Sequence, residues 1–283
     1  MATTFLKGLA LLEAVDGGIS TISDLARSLD VDKATASRLV TAAERDGWVT
    51  RSGRAIAIGP RAALLGQSSP TSLAVRTAEP LVRTIAGITG LLTQAYALIG
   101  SRAVVLATAG WPGMSIPGGL GVSTPLWASA AGKVIAAQLE PADLARVLPP
   151  DPLPPAPGEQ IPPDIVEQIC AHYALLPVFS PPSSASTAAR TQAELFELLA
   201  EVRATGCYTD RDELIPGLSC HAVAWPRPGL VSALVVVGRV RDQRERGGLI
   251  HALLQAATRP DAQIADLVAA AAKTGKPHPG HRL

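Results

Sequence analysis

Residues 29–49 read LDVDKATASRLVTAAERDGWV, and their spacing decides the fold expected at the amino-terminal end. Let a helix start after Asp32, a natural cap, and stop at Gly47. Ala36, Leu39, Val40 and Ala43 then fall on one stripe at i, i+3, i+4 and i+7, the face such a helix buries. Lys33, Ser37 and Thr41 lie four apart on the opposite side, flanked by Ala34, Arg38 and Arg45. A helix that enters the major groove of DNA needs such a face. Small residues let the backbone come close, hydroxyls and cations hold phosphates, and one or two long donors reach base edges. The candidate contacts on this helix are Lys33, Thr35, Ser37, Arg38, Thr41 and Arg45.

The flanking segments fit a helix-turn-helix with a wing. Phe5, Leu9 and Leu12, with Leu6 and Ala10 beside them, follow helical spacing until DGG at 16–18. A second helix begins at TISDLARSL, where Thr21 and Asp24 stand as a capping box and Leu25, Ala26 and Leu29 face inward. The connection Leu29-Asp30-Val31 is tight. Asp30 stands where a glycine is usual, and Asp tolerates a left-handed backbone better than most residues. After Gly47 the period changes to two: WVTR, a two-residue turn Ser52-Gly53 and RAIAIG read as a small hairpin with Val49, Ile56 and Ile58 as its apolar members. This wing adds Arg51 and Arg54 to the candidate contacts. Between 33 and 61 six basic residues (Lys33, Arg38, Arg45, Arg51, Arg54, Arg61) face two acids, Glu44 and Asp46, a surplus of four. A three-helix packing unit with a solvated outer face is the plain alternative; capping, wing and charge together favour DNA.

Bulk properties bound the rest. The chain has 283 residues, 47% hydrophobic and 17% charged, enough for two packed cores and unlike a disordered chain. Its net charge of +1 excludes coating nucleic acid by bulk charge, so any basic surface must be local. The longest clean apolar run, LVSALVVVG, is too short to span a bilayer, and Lys7 and Glu13 break the first apolar segment, so a soluble, cytoplasmic protein with no membrane partner is expected. Cys170, Cys207 and Cys220 are odd in number and unpaired in spacing, which suggests neither a disulfide framework nor a zinc site.

Residues 70–90 carry Leu73, Leu81, Ile85 and Ile88 at roughly helical intervals, a connecting helix with Pro80 as a place for a kink. Beyond it, LLTQAYALI and AVVLATAG flank GSR, and LSCHAVAW and LVSALVVVG flank PRPG, two antiparallel hairpins. Helical patterns lie at ASAAGKVIAAQL, at QAELFELLAEVRATG ended by Gly206, and at LIHALLQAATRPDAQIADLVAAAA. The second part is thus expected to be α+β. Eight prolines between 148 and 163, and SPPSSAST at 180–187, read as loops or mobile insertions.

At this point the chain resembles the IclR-type bacterial transcription regulators. The likeness runs through LDVDKATASRLVTAAERDGWV and IAIGPRAALLG, then TPLWASAAGKVIAAQL, and then GCYTDRDELIPGLSCHAVAW followed by LVSALVVVG. The resemblance implies a winged helix-turn-helix (residues 1–67), a linker helix (68–90), a GAF-like effector-binding domain with an antiparallel sheet (91–275) and a flexible tail (276–283). It also implies double-stranded DNA with a palindromic operator as partner, a homodimer or dimer of dimers, and a small-molecule effector. Carried over by alignment, Ala130, Ala131, Asp210, Leu218, Cys220, Val235 and Val237 would line the effector pocket. Trp127 and His221 stand where the family more often has histidine and an aliphatic residue, and Val235 and Val237 where some members carry serine. Fewer hydroxyls imply a more apolar ligand than a small dicarboxylate.

Other readings of these residues carry less. Cys220 and His221 are adjacent on a strand, so their side chains point to opposite faces and cannot act as nucleophile and base. No nucleophile elbow, phosphate loop or metal-spaced histidine pair is present, so no enzyme activity, cofactor or metal is expected. Lys133 reads as a surface lysine at a helix start, and Asp210 equally as a ligand contact or a loop cap. Trp111, Trp127 and Trp225 read as core more than as pocket walls, and His172 and His251 as structural or surface residues. The alternative function is an orphan regulator or dimerisation module whose second domain binds no ligand.

Overall fold

The computed structural model describes residues 2–65, 69–110, 121–160 and 188–274. Trp111, Cys170, His172, the stretch 180–187 and the tail 276–283 lie outside the described residues. The chain divides into two compact units, residues 1–73 and 74–283. No described helix is long and apolar enough to cross a membrane.

In the first unit α1 (Ala2–Asp16), α2 (Ile22–Ser28) and α3 (Lys33–Arg45) precede a hairpin, β1 (Val49–Ser52) and β2 (Ala55–Ile58), and a short helix α4 (Pro60–Leu65). Its core is Leu11, Val15, Leu25, Val40, Val49 and Ile56. The buried pair of α1 is therefore Leu11 and Val15; Phe5, Leu6 and Leu9, although helically spaced, are 67%, 60% and 43% exposed. The Thr21 hydroxyl accepts from the Asp24 N–H (3.2 Å) and donates to its carboxylate (2.7 Å), fixing the start of α2. Asp30 has φ +49°, the left-handed conformation its position demands. In the hairpin Ser52 pairs with Ala55, so the turn is Gly53-Arg54 and not Ser52-Gly53. Gly53, with φ +61°, supplies the positive angle that a two-residue hairpin requires. Helix α4 within IAIGPRAALLG was not expected from the sequence; Pro60 is its first residue, where its missing N–H costs nothing.

The helix α5 (Pro70–Thr89) carries Pro80 inside it and buries Ala74, Ala78, Leu81, Val82, Ile85 and Ala86, while Leu73 is exposed. The second unit is built on one antiparallel sheet in the order β5-β4-β3-β8-β7-β6. Its strands are β3 (Leu92–Ile99), β4 (Arg102–Ala109), β5 (Ser123–Pro125), β6 (Cys207–Thr209), β7 (Leu218–Ala224) and β8 (Ser232–Arg239). Both hairpins read from the sequence are present, β3 with β4 and β7 with β8, and β3 pairs with β8 at the centre. One face is covered by α6 (Ala130–Ala137), α7 (Pro141–Val147) and α8 (Gln192–Thr205); the other by α5, α9 (Val240–Thr258) and α10 (Ile264–Thr274). Strand β8 is buried throughout, with Ala233, Val235 and Val237 toward the first face and Leu234 and Val236 toward the second. A bulge interrupts the β3–β4 ladder: Ala95 pairs with Ala107 but Tyr96 with Val105, which leaves Leu106 extra.

One expectation changes here and another is narrowed to one of its alternatives. The closing helical pattern is two helices, separated at Arg259 and Pro260, and the first begins at Val240, where the Asp242 carboxylate accepts from the Arg239 N–H (3.0 Å) and from its guanidinium. The proline-rich stretch, as far as residue 160, is a packed loop rather than a mobile insertion. Leu153 and Ala156 are buried, the Leu153 N–H donates to the Arg190 carbonyl (2.9 Å), and the Trp127 indole donates to the Pro154 carbonyl (3.0 Å).

Candidate nucleic-acid interface and ligand cavity

Helix α3 is seated by Ala36 and Val40, both fully buried, with Leu39 and Ala43 packed beside them. Its start is fixed by Asp32, whose carboxylate accepts from the Thr35 N–H (2.9 Å) and hydroxyl (2.6 Å). The Thr35 hydroxyl is the main cause holding that carboxyl below the usual carboxylate range. On the outward side Lys33, Ala34, Arg38, Thr41, Ala42 and Arg45 are exposed and Ser37 is half-buried. The Arg38 guanidinium donates to the Thr35 hydroxyl (3.0 Å). Arg51 on the wing donates to the Thr41 hydroxyl (3.3 Å) and pairs with Glu44 (3.3 Å), so wing and helix share one polar surface. Arg54 is exposed at the tip of the turn. All eight predicted contacts thus lie on α3 or the hairpin. The surplus charge is smaller at close range than the count suggests: Arg45 pairs with Asp46, and Arg61 lies over the Trp48 ring at 4.8 Å and donates to the Asp46 carbonyl. Lys33, Arg38 and Arg54 form no ion pair among the described residues, and they carry the net positive field of this face.

In the second unit a cavity of about 250 Å³ opens between the sheet and the loops around it. Its apolar walls include Leu92, Leu218, Val237 and Ile215; its polar groups are Gln94, Tyr96, Thr124, Ser123, Asp210 and Arg102. Of the seven residues expected there, Asp210, Leu218, Cys220 and Val237 line the cavity. Ala130, Ala131 and Val235 do not: they are buried in the packing of α6 against the sheet, because Ala130 and Ala131 open a helix buried over its whole length. The Tyr96 hydroxyl donates to Gln94 (2.9 Å), and Arg102, exposed at the rim, donates to the Ser123 hydroxyl (2.7 Å) and carbonyl (3.2 Å). These polar groups come from three neighbouring strands, β3, β4 and β5, where nothing in the local spacing marked them.

Asp210 both caps and lines. One carboxylate oxygen accepts from the Ala130 N–H at the start of α6 (2.7 Å) and the other from the Cys220 N–H on β7 (2.8 Å). Burial, and after it Glu213, pushes its carboxyl up to about 7, against the pull of the two N–H donors and Lys133. Burial also pushes the Cys220 thiol upward. Lys133 overturns its surface reading. It is fully buried, ion-paired with the equally buried Glu213, with its ammonium 3.3 Å from the Tyr208 hydroxyl and 4.6 Å from that ring's centre. Helix α6 can lie so close because of Gly132, where a Cβ would press into the Pro125 carbonyl and lie 2.7 Å from the Leu126 Cα. Trp127 and Trp225 are packing residues, and neither lines the cavity.

The opposite face of β7 carries His221, as alternation requires for the neighbour of Cys220. Its Nδ1 lies 2.6 Å from the Thr209 hydroxyl and its Nε2 3.1 Å from His251 Nδ1 on α9. Burial first, then His251, lowers the His221 pKa to about 4. Cys207 on β6 completes a group whose candidate ligand atoms all lie within 4.8 Å of one another.

The model of the MarR family matches residues 9–55, the helix-turn-helix and most of its hairpin. No curated protein matches the chain. Solved structures match along almost all of it. An IclR homologue from Microbacterium hydrocarbonoxydans, complexed with 4-hydroxybenzoate, is 19% identical with a TM-score of 0.64, over 93% of this chain and 98% of that one. An IclR transcriptional regulator from Alicyclobacillus acidocaldarius is 18% identical with a TM-score of 0.60, over 96% and 99%. The Thermotoga maritima IclR is 16% identical with a TM-score of 0.58, over 93% and 100%.

The chain has the fold of the IclR-type transcriptional regulators. The winged helix and the α+β unit on its antiparallel sheet are the two parts of that IclR-type fold. Within it, sequence reasoning missed Gln94, Tyr96 and Arg102 at the cavity, the buried Lys133–Glu213 pair, and the Cys207–His221–His251 group. Each depends on residues far apart in the chain; Lys133 and Glu213 are 80 positions apart. One signal was available for Lys133: every other residue of AAGKVIAA is small or apolar, so a helix with no polar face carried its only cation.

Proposed function

We propose that the chain is an IclR-type transcriptional regulator whose binding to operator DNA is changed by a small organic effector held in the second unit's cavity. The observation that carries the DNA-binding half is α3, anchored by Ala36 and Val40 while its outward side offers only small side chains, hydroxyls and cations. Arg38 and Lys33 supply long donors for bases or phosphates, and Arg51 and Arg54 hold the backbone from the wing. One such domain reads few base pairs, so useful affinity requires a homodimer or dimer of dimers on a palindromic site. The exposed Phe5, Leu6 and Leu9 of α1 are of the kind that a second copy covers.

The effector reading rests on a cavity with apolar walls, polar groups from β3, β4 and β5, and the Asp210 carboxyl beside β7. Such a cavity favours a molecule with an apolar body and a single polar or anionic end, set toward Arg102, Gln94 and Tyr96. The Microbacterium hydrocarbonoxydans homologue holds 4-hydroxybenzoate, a molecule of that description. A small dicarboxylate fits less well, because its second carboxylate would lose hydration against Leu218 and Val237.

The test is fluorescence anisotropy at fixed salt on a duplex selected by the protein from a random pool. Arg38→Ala should weaken binding by about 1–3 kcal/mol with folding unchanged. The selected duplex should carry inverted half-sites, and aromatic monoacids should shift its affinity where dicarboxylates do not. Selection of no sequence, or full affinity in Arg38→Ala, contradicts the assignment of α3.

A further inference from the structure

We propose that Cys207, His221 and His251 form a binding site for a zinc ion, on the face of the sheet opposite the effector cavity. Three elements that are distant in sequence converge there: β6 brings the thiol, β7 one imidazole and α9 the other. The two ring nitrogens that face each other are 3.1 Å apart. Two nitrogens on a tetrahedral zinc at ~2.05 Å are separated by about 3.3 Å, so the imidazoles already stand at nearly the ligating distance. All three candidate atoms lie within 4.8 Å of one another. The donor set is one thiolate and two imidazoles, which suits zinc and leaves the fourth position open to water, the group being half-buried and not sealed.

The surroundings hold the ligands as metal sites usually do. The ring nitrogen of His221 that would not ligate lies 2.6 Å from the Thr209 hydroxyl, which fixes both the plane of the ring and the nitrogen it offers. With His221 Nδ1–H donating to Thr209, His221 Nε2 is a lone pair and accepts from His251 Nδ1–H. On binding, this hydrogen bond is replaced by two nitrogen–zinc bonds. The proton on His251 Nδ1 transfers through solvent to His251 Nε2, the Cys207 thiol gives one proton to water, and no electrons move. The net change is uptake of Zn²⁺ and release of one proton.

The experiment uses the full-length untagged protein, stripped with a chelator and titrated with Zn²⁺ against a chromophoric competitor, and in parallel with Co²⁺. One equivalent should bind at or below micromolar concentration. The cobalt form should show a thiolate-to-metal charge-transfer band and the visible absorption of a tetrahedral site, and zinc should raise Tm. Cys207→Ser should abolish the charge-transfer band, and His251→Gln should weaken binding at least tenfold, with near-native circular dichroism in both. Binding at His278 and His281 gives no such band, and a thiolate band from Cys170 beside His172 would survive in Cys207→Ser, so the variant assigns the band to this site. No binding at micromolar metal, a cobalt spectrum without the thiolate band, or a band that survives in Cys207→Ser overturns the assignment.

Discussion

Replacing Lys133 by Met should remove a large part of the second unit's stability, and replacing Glu213 by Leu as well should return most of it. Both side chains are fully inaccessible and form an ion pair, and the ammonium also sits over the Tyr208 ring. Taking one charge from a buried pair costs about 3–5 kcal/mol, because the remaining carboxylate has lost its hydration and now its cation. A pair exchanged for apolar groups of similar volume costs far less, within about 1 kcal/mol of wild type. Against a typical total of 5–15 kcal/mol, the single change should move a urea midpoint by roughly 2 M if m is near 2 kcal/mol per molar. Trp48 belongs to the first unit, so a Trp48→Phe background lets the remaining tryptophans report on the second alone. Unfolding of wild type, both singles and the double variant gives the coupling energy directly. A Lys133→Met cost below about 1 kcal/mol, or costs that simply add, would refute the claim that the two buried charges stabilise each other.

Gly132→Ala should cost about 3 kcal/mol or more in urea melts, because the new methyl meets backbone that cannot yield; Gly87→Ala, with nothing near its Cβ, should be neutral or stabilise by about 0.5–1 kcal/mol. Asp210 keeps its proton in the folded state to about pH 7, against 3.8 ordinarily. The stability this gives is complete below the unfolded value and is lost as pH rises through about 7. Relative to Asp210→Asn, wild type should therefore lose a few kcal/mol at most between about pH 4 and pH 8, measured by urea melts; a flat difference contradicts the raised value. Val237→Glu should abolish the effector's influence on DNA binding while leaving operator affinity in its absence unchanged, as anisotropy with and without an aromatic acid would register. Val235, on the same face, packs into the core and off the cavity, so Val235→Glu should instead depress Tm.

The elements that sequence reveals here are those decided within a few residues. Asp32 caps α3, Thr21 caps α2, Thr191 starts α8 and Gly206 ends it in a left-handed conformation, each by contacts three or four positions away. The two long hairpins follow from alternation and short turns. The start of α9 was missed because its cap is an Arg239–Asp242 fork, an uncommon pair for that role. At the cavity the part that the family resemblance reached was the β7–β8 side, with Leu218, Cys220 and Val237. The β3–β4 side and Arg102 were not reached, since their place depends on which strand neighbours which. Ala130 and Ala131 went astray for a related reason: a helix as apolar as α6 hides which of its small residues face a void and which face packed atoms.

The extra residue in β4 bears on how this sheet tolerates change in length. Pairings on both sides of Leu106 are those of an uninterrupted ladder from which that residue has been looped out. Its side chain adds to the face covered by α5, α9 and α10, while Gln94, Tyr96 and Arg102 keep their register at the cavity. A one-residue deletion at 106 would erase the bulge without transposing inside and outside, whereas the same deletion at 104 would be absorbed only with Val105 and Leu106 exchanging faces. The hairpin thus holds a slack link, at which the ladder can lose a residue on one face while the geometry of the other remains as it was.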